Sequence, residues 1–176
     1  MVDASGLLSV CVVTLIDGNG GEKEEEAEIE DVTEELNALM EEHANELAGY
    51  QTMLLYIAIK SGNYSTAGLT AFFGTIGFFI DKVTDNGEWD IKRSTEKYSY
   101  KKKMIYNGVV YSGEQIGNIH FGYVGRAVFS RWFLHFGAGI NQLKKGFEKE
   151  NLAFFFDEPE DYEMIDYGIR LYEESH

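Results

Sequence analysis

The most informative stretch of the chain is Gly117-Asn118-Ile119-His120-Phe121-Gly122-Tyr123-Val124-Gly125. Its glycines stand at the first, sixth and ninth positions, and glycine lets a backbone approach a partner closely or adopt angles that other residues avoid. Asn118 and His120 are two residues apart, so an extended segment would point both side chains to the same side. The stretch therefore predicts a site carried on an unusually shaped backbone.

A second polar segment, Glu88-Trp89-Asp90-Ile91-Lys92, lies upstream of this stretch. On an extended segment Asp90 and Lys92 would share one side, and the ammonium would lower the pKa of the carboxyl and keep it ionised. An ionised carboxylate can serve as a nucleophile, a base or a stabiliser of charge. An ion pair that only tethers a loop is the alternative interpretation.

The histidines are interpreted according to their surroundings. His120, in its glycine-rich frame, is a candidate general acid or base near neutral pH, with a buried structural imidazole as the alternative. His43 and His135 lie in apolar patterns and are predicted to belong to the core. Asp161, near the start of the last predicted helix, is a candidate second carboxylate of a hydrolytic pair. Asp157, one helical turn earlier, is expected to cap that helix.

Apolar spacing predicts that most of the chain is helical. A capping box of Asp31 and Glu34 opens a first helix with one apolar face. That face comprises Val32, Leu36, Leu39, Met40, His43, Leu47 and Tyr50. Residues 69–83 and 123–136 predict two more helices, and Asp157-Glu158-Pro159-Glu160 is typical of the first turn of a last one.

A short β element interrupts the helices. Apolar residues flank Asn107-Gly108, a pair that is typical of a two-residue hairpin turn. The fold class predicted is therefore α+β, a mainly helical single domain over residues 31–176 with a small antiparallel β-hairpin. Residues 1–30 hold Asp17-Gly18-Asn19-Gly20-Gly21 and then a glutamate run, and they are predicted to be a linker or a flexible N-terminal segment.

Charge is distributed unevenly along the chain. The net charge is −15, which argues against non-specific binding to nucleic acid, yet residues 91–145 carry ten basic groups against two acidic ones. Residues 22–31 carry seven acidic groups against one basic, and residues 146–176 carry ten against two. A polymer could meet the basic middle, and plain solvated surface charge is the alternative.

Several classes of protein are disfavoured by what the sequence lacks. The single cysteine, Cys11, excludes an intrachain disulfide and a cysteine-based zinc cluster. The apolar run 67–80 is shorter than the ~20 residues that span a bilayer, so a soluble protein without membrane insertion is predicted. Metal motifs, a P-loop and a dinucleotide fingerprint are missing, and neither a metal nor another cofactor is predicted.

Three segments in order resemble the polymorphic toxin type 44 domain family. They are Trp89-Asp90-Ile91-Lys92, the stretch 117–125, and Phe156-Asp157-Glu158-Pro159-Glu160-Asp161 followed by Gly168. The resemblance begins near Asp31 and covers about four-fifths of the chain. It departs from the family pattern at His120, where many relatives carry Asn, and at Glu158, where the pattern has Asp.

The resemblance implies a toxic effector module at the C-terminus of a larger secreted bacterial protein. Such a module would be delivered into competing bacteria and neutralised in the producing cell by a cognate immunity protein. The resemblance implies no particular target for the toxin.

Three functions remain open from the sequence. A hydrolase of cell-wall glycan, peptidoglycan, would use Asp90 and Asp161 as carboxylates and His120 as acid or base. A ribonuclease toxin would use His120 with Lys92, and a non-catalytic binding or immunity-type module would use neither. The residues predicted to bind the polymeric substrate are Trp89, Lys92, Asn118 and Tyr123.

Overall fold

Six helices and two antiparallel pairs of strands make up the described part of the chain, which confirms the mainly helical α+β class. The computed structural model describes residues 9–16, 22–94, 97–99, 102–137 and 159–176. The strands are β1 (Ser9–Ile16), β2 (Glu22–Ile29), β3 (Lys103–Tyr106) and β4 (Val109–Ser112). The helices are α1 (Thr33–Lys60), α2 (Ala67–Val83), α3 (Ile91–Ser94), α4 (Gly113–Arg126), α5 (residues 131–137) and α6 (Pro159–Ser175).

The hairpin β3–β4 forms as predicted. Asn107 and Gly108 both have positive φ, 50° and 76°, as a two-residue turn with the twist of a hairpin requires. Strand β3 also bonds to the chain just before α1, since Ile105 N donates to Glu30 O and Val32 N donates to Ile105 O, each at 2.9 Å. The hairpin thereby anchors the start of α1.

The glutamate run lies within the segment predicted to be a linker or a flexible N-terminal segment. Residues 22–29 are strand β2, which pairs antiparallel with β1 from Ser9 opposite Ile29 to Ile16 opposite Glu22. Asp17-Gly18-Asn19-Gly20-Gly21 lies outside the described residues, and the domain boundary at residue 31 stays a prediction.

Helix α1 has the predicted apolar face but a different start. Leu36, Met40 and Leu47 are buried. The helix begins at Thr33 after Val32, so Glu34 occupies the second helical position and the Asp31–Glu34 capping box is wrong. Asp31 instead accepts a hydrogen bond from Thr33 N at 3.0 Å.

The stretch 117–125 is helical, so the prediction of an extended segment is wrong. It lies inside α4, which begins with a reciprocal capping box between Ser112 and Gln115. Residues two positions apart on a helix are separated by about 200° around its axis, so Asn118 and His120 point to different sides.

The predicted helix over 123–136 is in fact two helices. Helix α4 ends at Arg126, residues 127–130 form a turn, and α5 follows. The Ser130 hydroxyl accepts a hydrogen bond from Phe133 N at 3.3 Å and so caps the new helix. Helix α5 packs on α6 through Arg131 Nη1, which donates to Asp166 Oδ1 at 2.8 Å, and through His135, which is buried and stacks on Tyr162.

The two sequence-distant helices α4 and α6 cross in backbone contact. A Cβ added to Gly168 would overlap the carbonyl oxygen of Ile119, and one added to Gly122 would overlap the carbonyl oxygen of Ile165. Each helix therefore needs a glycine where the backbone of the other helix crosses it. This crossing holds the start of α6 against α4, where the candidate site lies.

Among the described residues, the buried apolar side chains form two clusters. One cluster gathers α1, the hairpin and α4, and includes Leu36, Met40, Tyr106, Ile116 and Ile119. The other gathers α2, the Trp89 turn and α5, and includes Leu47, Phe79, Trp89, Phe129 and Leu134. Within the part of the chain that the structure describes, no helix has the length and apolar character needed to cross a membrane.

We expect Gly168→Ala to lower the free energy of unfolding by about 1–3 kcal/mol, because the new methyl group must push the backbone of α4 away. Gly77→Ala is the matched control, since Gly77 is an exposed glycine of α2 with no atom within 4 Å of an added Cβ. That change should stabilise the protein by up to about 1 kcal/mol, as alanine favours helix. Urea unfolding of both variants measures the difference, and a Gly168→Ala protein as stable as wild type would refute the close crossing.

Candidate active site

The Trp89–Asp90 segment is a tight turn between α2 and α3. Asp90 is 4% exposed, and its Oδ2 accepts a hydrogen bond from Asn86 N at 2.9 Å. Trp89 N donates to Lys82 O at 2.8 Å, which ties the turn to the end of α2. The buried carboxylate thus holds the turn that buries the Trp89 ring.

The predicted pairing of Asp90 with Lys92 on an extended segment is wrong, because Ile91–Ser94 is helical. On a helix, residues two apart do not face each other, whereas residues three apart do. The cation beside Asp90 is accordingly Arg93, whose Nη1 lies 3.9 Å from Asp90 Oδ2. The side chain of Lys92 lies instead against α4, with Cδ 3.1 Å from the position of a Cβ on Gly117.

His120 takes part in a buried cluster with His43 and Trp89. His120 Nε2 and His43 Nδ1 are 2.8 Å apart, and the His43 ring stacks on Trp89 at 4.8 Å between centroids. His120 is 1% exposed, and burial together with the neighbouring His43 lowers its pKa to about 3. Burial also lowers the pKa of His43. His120 is therefore neutral at physiological pH and has no direct access to solvent.

Asn118 and Asp161, two of the predicted site residues, are in direct contact. Asn118 Nδ2 donates to Asp161 Oδ1 at 2.6 Å across the α4–α6 interface. One turn earlier on α4, Gln115 Nε2 donates to Glu160 Oε1 at 2.7 Å. Two amides of α4 thus hold two successive carboxylates in the first turn of α6, where the helix dipole also favours negative charge. Asp157 lies outside the described residues.

Tyr123 belongs to a different surface, an open cleft of about 500 Å³ that we name the tyrosine cleft. Its lining residues come from α1, the hairpin turn, α4 and the end of α6: Asn37, Glu41, Tyr106, Asn107, Tyr123, Leu171, Glu174 and Ser175. Tyr123 Oη donates to Glu41 Oε2 at 2.8 Å, and this bond lowers the pKa of Glu41. Sequence reasoning missed Glu41, although the spacing of Asn37 and Glu41 places both on one face of α1.

The predicted site residues therefore fall into separate groups. Asn118 bonds to Asp161, His120 reaches Trp89 through His43, and Tyr123 lines the tyrosine cleft. Asp90 bonds within its own turn and Lys92 lies beside Gly117. Their convergence on one substrate stays a prediction. Among the described residues, no group of three or more His, Cys, Asp or Glu side chains is arranged to hold a metal ion.

The buried histidine pair should make the protein less stable in mild acid. The pKa of His120 is about 3 in the folded protein, below its ordinary 6.5, so the unfolded chain takes up the proton first. Stability is then lost as pH falls from about 6.5 toward about 3. His120→Gln removes this titration and keeps a neutral polar side chain.

Between pH 7.5 and pH 5, we expect wild type to lose about 2 kcal/mol more unfolding free energy than His120→Gln. Urea unfolding at both pH values measures this difference. Equal losses in the two proteins would show that His120 titrates normally in the fold.

A comparison with models of known protein families assigns the chain to one family. A model described as "Bacterial toxin 44" matches residues 78–174, which is 97 of 176 residues and more than half of the chain. The match begins inside α2, so the whole of α1 lies outside it, whereas the resemblance seen in the sequence extends to Asp31. No curated protein and no solved structure matches the chain. The match contains the Trp89 turn, α4 and nearly all of α6, and the chain belongs to the bacterial toxin 44 family.

Proposed function

We propose that this toxin domain is an effector module that hydrolyses cell-wall glycan, peptidoglycan, in competing bacteria. It would be delivered as part of a larger secreted protein, and a cognate immunity protein would protect the producing cell. The family membership supports the toxin role.

The observation that carries the proposal is the hydrogen bond between Asn118 and Asp161. It joins two segments that are 43 residues apart and that both belong to the family signature. A carboxylate oriented by an amide on a rigid helix pair suits a hydrolase, because catalytic groups must be held in fixed geometry. Glu160, held by Gln115 in the same helical turn, offers a second carboxylate for acid and base steps on a glycosidic bond.

We assign Asp90 and His120 positioning roles within this proposal. Asp90 is buried and receives the Asn86 N–H, and His120 is buried against His43. Through the Trp89 turn and α4, both side chains support the surface on which Lys92 and Asn118 lie. This assignment differs from the sequence-based hypothesis, in which both act directly on the substrate.

The ribonuclease alternative is disfavoured by the state of His120. A ribonuclease that uses this imidazole needs it accessible and able to change protonation near neutral pH. The ring is 1% exposed and its pKa is about 3. The acidic tyrosine cleft, with Glu41 and Glu174 among its lining residues, also repels a phosphate backbone.

Expression in the two compartments of a test bacterium distinguishes the functions. We expect the chain to kill when it is exported to the periplasm and to be tolerated in the cytoplasm, because the glycan lies outside the inner membrane. Released wall fragments measured by chromatography should fall at least about 100-fold with Asp161→Asn. Glu163→Gln, an exposed carboxylate on the same helix, is the control.

Two other outcomes would contradict the proposed wall hydrolase and support another function. Killing from the cytoplasm, with degraded RNA, would support the ribonuclease. Absence of killing from either compartment, with wild type and Asp161→Asn indistinguishable, would support a non-catalytic module.

A pair of Asp90 variants tests the positioning role. Asp90→Asn retains an oxygen that can accept the Asn86 N–H, so we expect wall hydrolysis close to that of wild type. Asp90→Ala leaves that donor without its acceptor and should lower the unfolding free energy by about 1–3 kcal/mol. If Asp90→Asn is folded but inactive, Asp90 is itself a catalytic carboxylate.

A further inference from the structure

The tyrosine cleft has a floor that is fixed by hydrogen bonds. Tyr106 is 1% and Tyr123 7% exposed, so their rings pack into the core and only their ends reach the cleft. Tyr106 Oη donates to Asn37 Oδ1 at 2.7 Å, and Tyr123 Oη donates to Glu41 Oε2 at 2.8 Å. At the rim, Asn107 Nδ2 donates to Tyr167 Oη at 3.1 Å. The polar groups of the cleft are therefore preorganised for a ligand.

The polar groups of the cleft match a polyhydroxylated ligand. Glu41 and Glu174 offer carboxylate oxygens that accept hydrogen bonds from hydroxyl groups, and Asn37 and Ser175 can both donate and accept. The hydrogen bond from Tyr123 lowers the pKa of Glu41, so this carboxylate is ionised at neutral pH. Hydrogen bonds to an ionised acceptor are the stronger kind.

The same groups exclude anionic ligands. The described residues that line the cleft include two carboxylates and neither lysine nor arginine. A phosphate or sulfate group would meet the negative charge of both carboxylates there, although His176 Nε2 lies 3.5 Å from Glu41 Oε1. A volume of about 500 Å³ falls within the range of small-molecule sites, which is roughly 300–1,000 Å³. A neutral saccharide satisfies these conditions.

The cleft lies far along α6 from the candidate catalytic carboxylate. Asp161 is in the first turn of α6 and Glu174 is in its last, thirteen residues later. At 1.5 Å per residue these positions are about 20 Å apart along the helix axis. A single small molecule cannot reach both positions, whereas a polymer can.

We propose that the tyrosine cleft is a second binding site, which holds a neutral stretch of a glycan chain away from the bond that is cleaved. This inference rests on the proposed function for the identity of the polymer. The saccharide chemistry of the cleft itself follows from its lining residues. The cleft increases the affinity for long chains and takes no part in the chemical step.

Binding of a defined oligosaccharide tests the proposal. The probe is the β-1,4-linked tetramer of N-acetylglucosamine, titrated by calorimetry into Asp161→Asn protein so that hydrolysis does not interfere. Adding Glu174→Ala should weaken binding at least about tenfold, since an exposed charged acceptor is lost while the fold is kept. Adding Glu163→Ala instead, on the same helix outside the cleft, should leave the affinity unchanged.

A kinetic test separates binding from catalysis. In protein that retains Asp161, Glu174→Ala should raise KM for intact wall glycan and leave kcat for short fragments unchanged. A residue with a merely structural role would instead lower kcat for short fragments together with the unfolding free energy.

The outcomes for the cleft and for the proposed function are distinguishable. Equal affinity of the Glu174→Ala and Glu163→Ala proteins, or lack of tetramer binding by all of them, overturns the cleft proposal even if the wall is hydrolysed. Binding that depends on Glu174 in a protein without hydrolytic activity supports the cleft and overturns the proposed function alone.

Discussion

The reciprocal contact between the backbones of α4 and α6 is the constraint on which the site depends. Gly122 accommodates the carbonyl of Ile165, and Gly168 accommodates the carbonyl of Ile119. Because the axes are this close, short side chains such as Asn118 and Asp161 can bond directly across the interface. Each helix already has the smallest residue at its contact. A larger residue in place of one glycine therefore cannot be compensated by a smaller residue on the other helix. The spacing of the two helices is therefore fixed by sequence.

Helix α4 presents a different chemistry on each side. Gln115 and Asn118 face the start of α6, His120 faces α1 and the Trp89 turn, and Tyr123 faces the tyrosine cleft. The stretch 117–125 together with Gln115 thus contributes side chains to two surfaces and one buried cluster. This arrangement explains why residues that are close in the sequence have unlike exposure and unlike partners.

Local signals in the sequence predict most of the fold. The apolar face of α1, the span of α2 and the Asn107–Gly108 turn each depend on residues close together in the chain. An extended conformation of 117–125 is wrong because glycines in a sequence do not by themselves distinguish a loop from a closely packed helix. In the structure Gly122 permits close packing of the helix, and the Ser112–Gln115 capping box is the sequence signal that marks its start.

The sequence predicts one contact within the candidate site and misses others. Asn118 and Asp161 were selected from the sequence, and the structure bonds them. The partners of Asp90 and His120 could not be foreseen, because they depend on where a four-residue helix starts and on a contact between residues 77 positions apart. Glu174 near the C-terminus carries no sequence signal, since only the tertiary fold brings it beside Tyr123.

The hydrogen bond between His43 and His120 has a donor and an acceptor end within the apolar core. His43 Nδ1 and His120 Nε2 share one hydrogen when both rings are neutral, so the tautomer of one ring determines that of the other. If His120 donates, the remaining hydrogen of His43 lies on Nε2; if His43 donates, that of His120 lies on Nδ1. Reversing the bond therefore moves a hydrogen on both rings, and the two residues behave as one oriented dipole between α1 and α4.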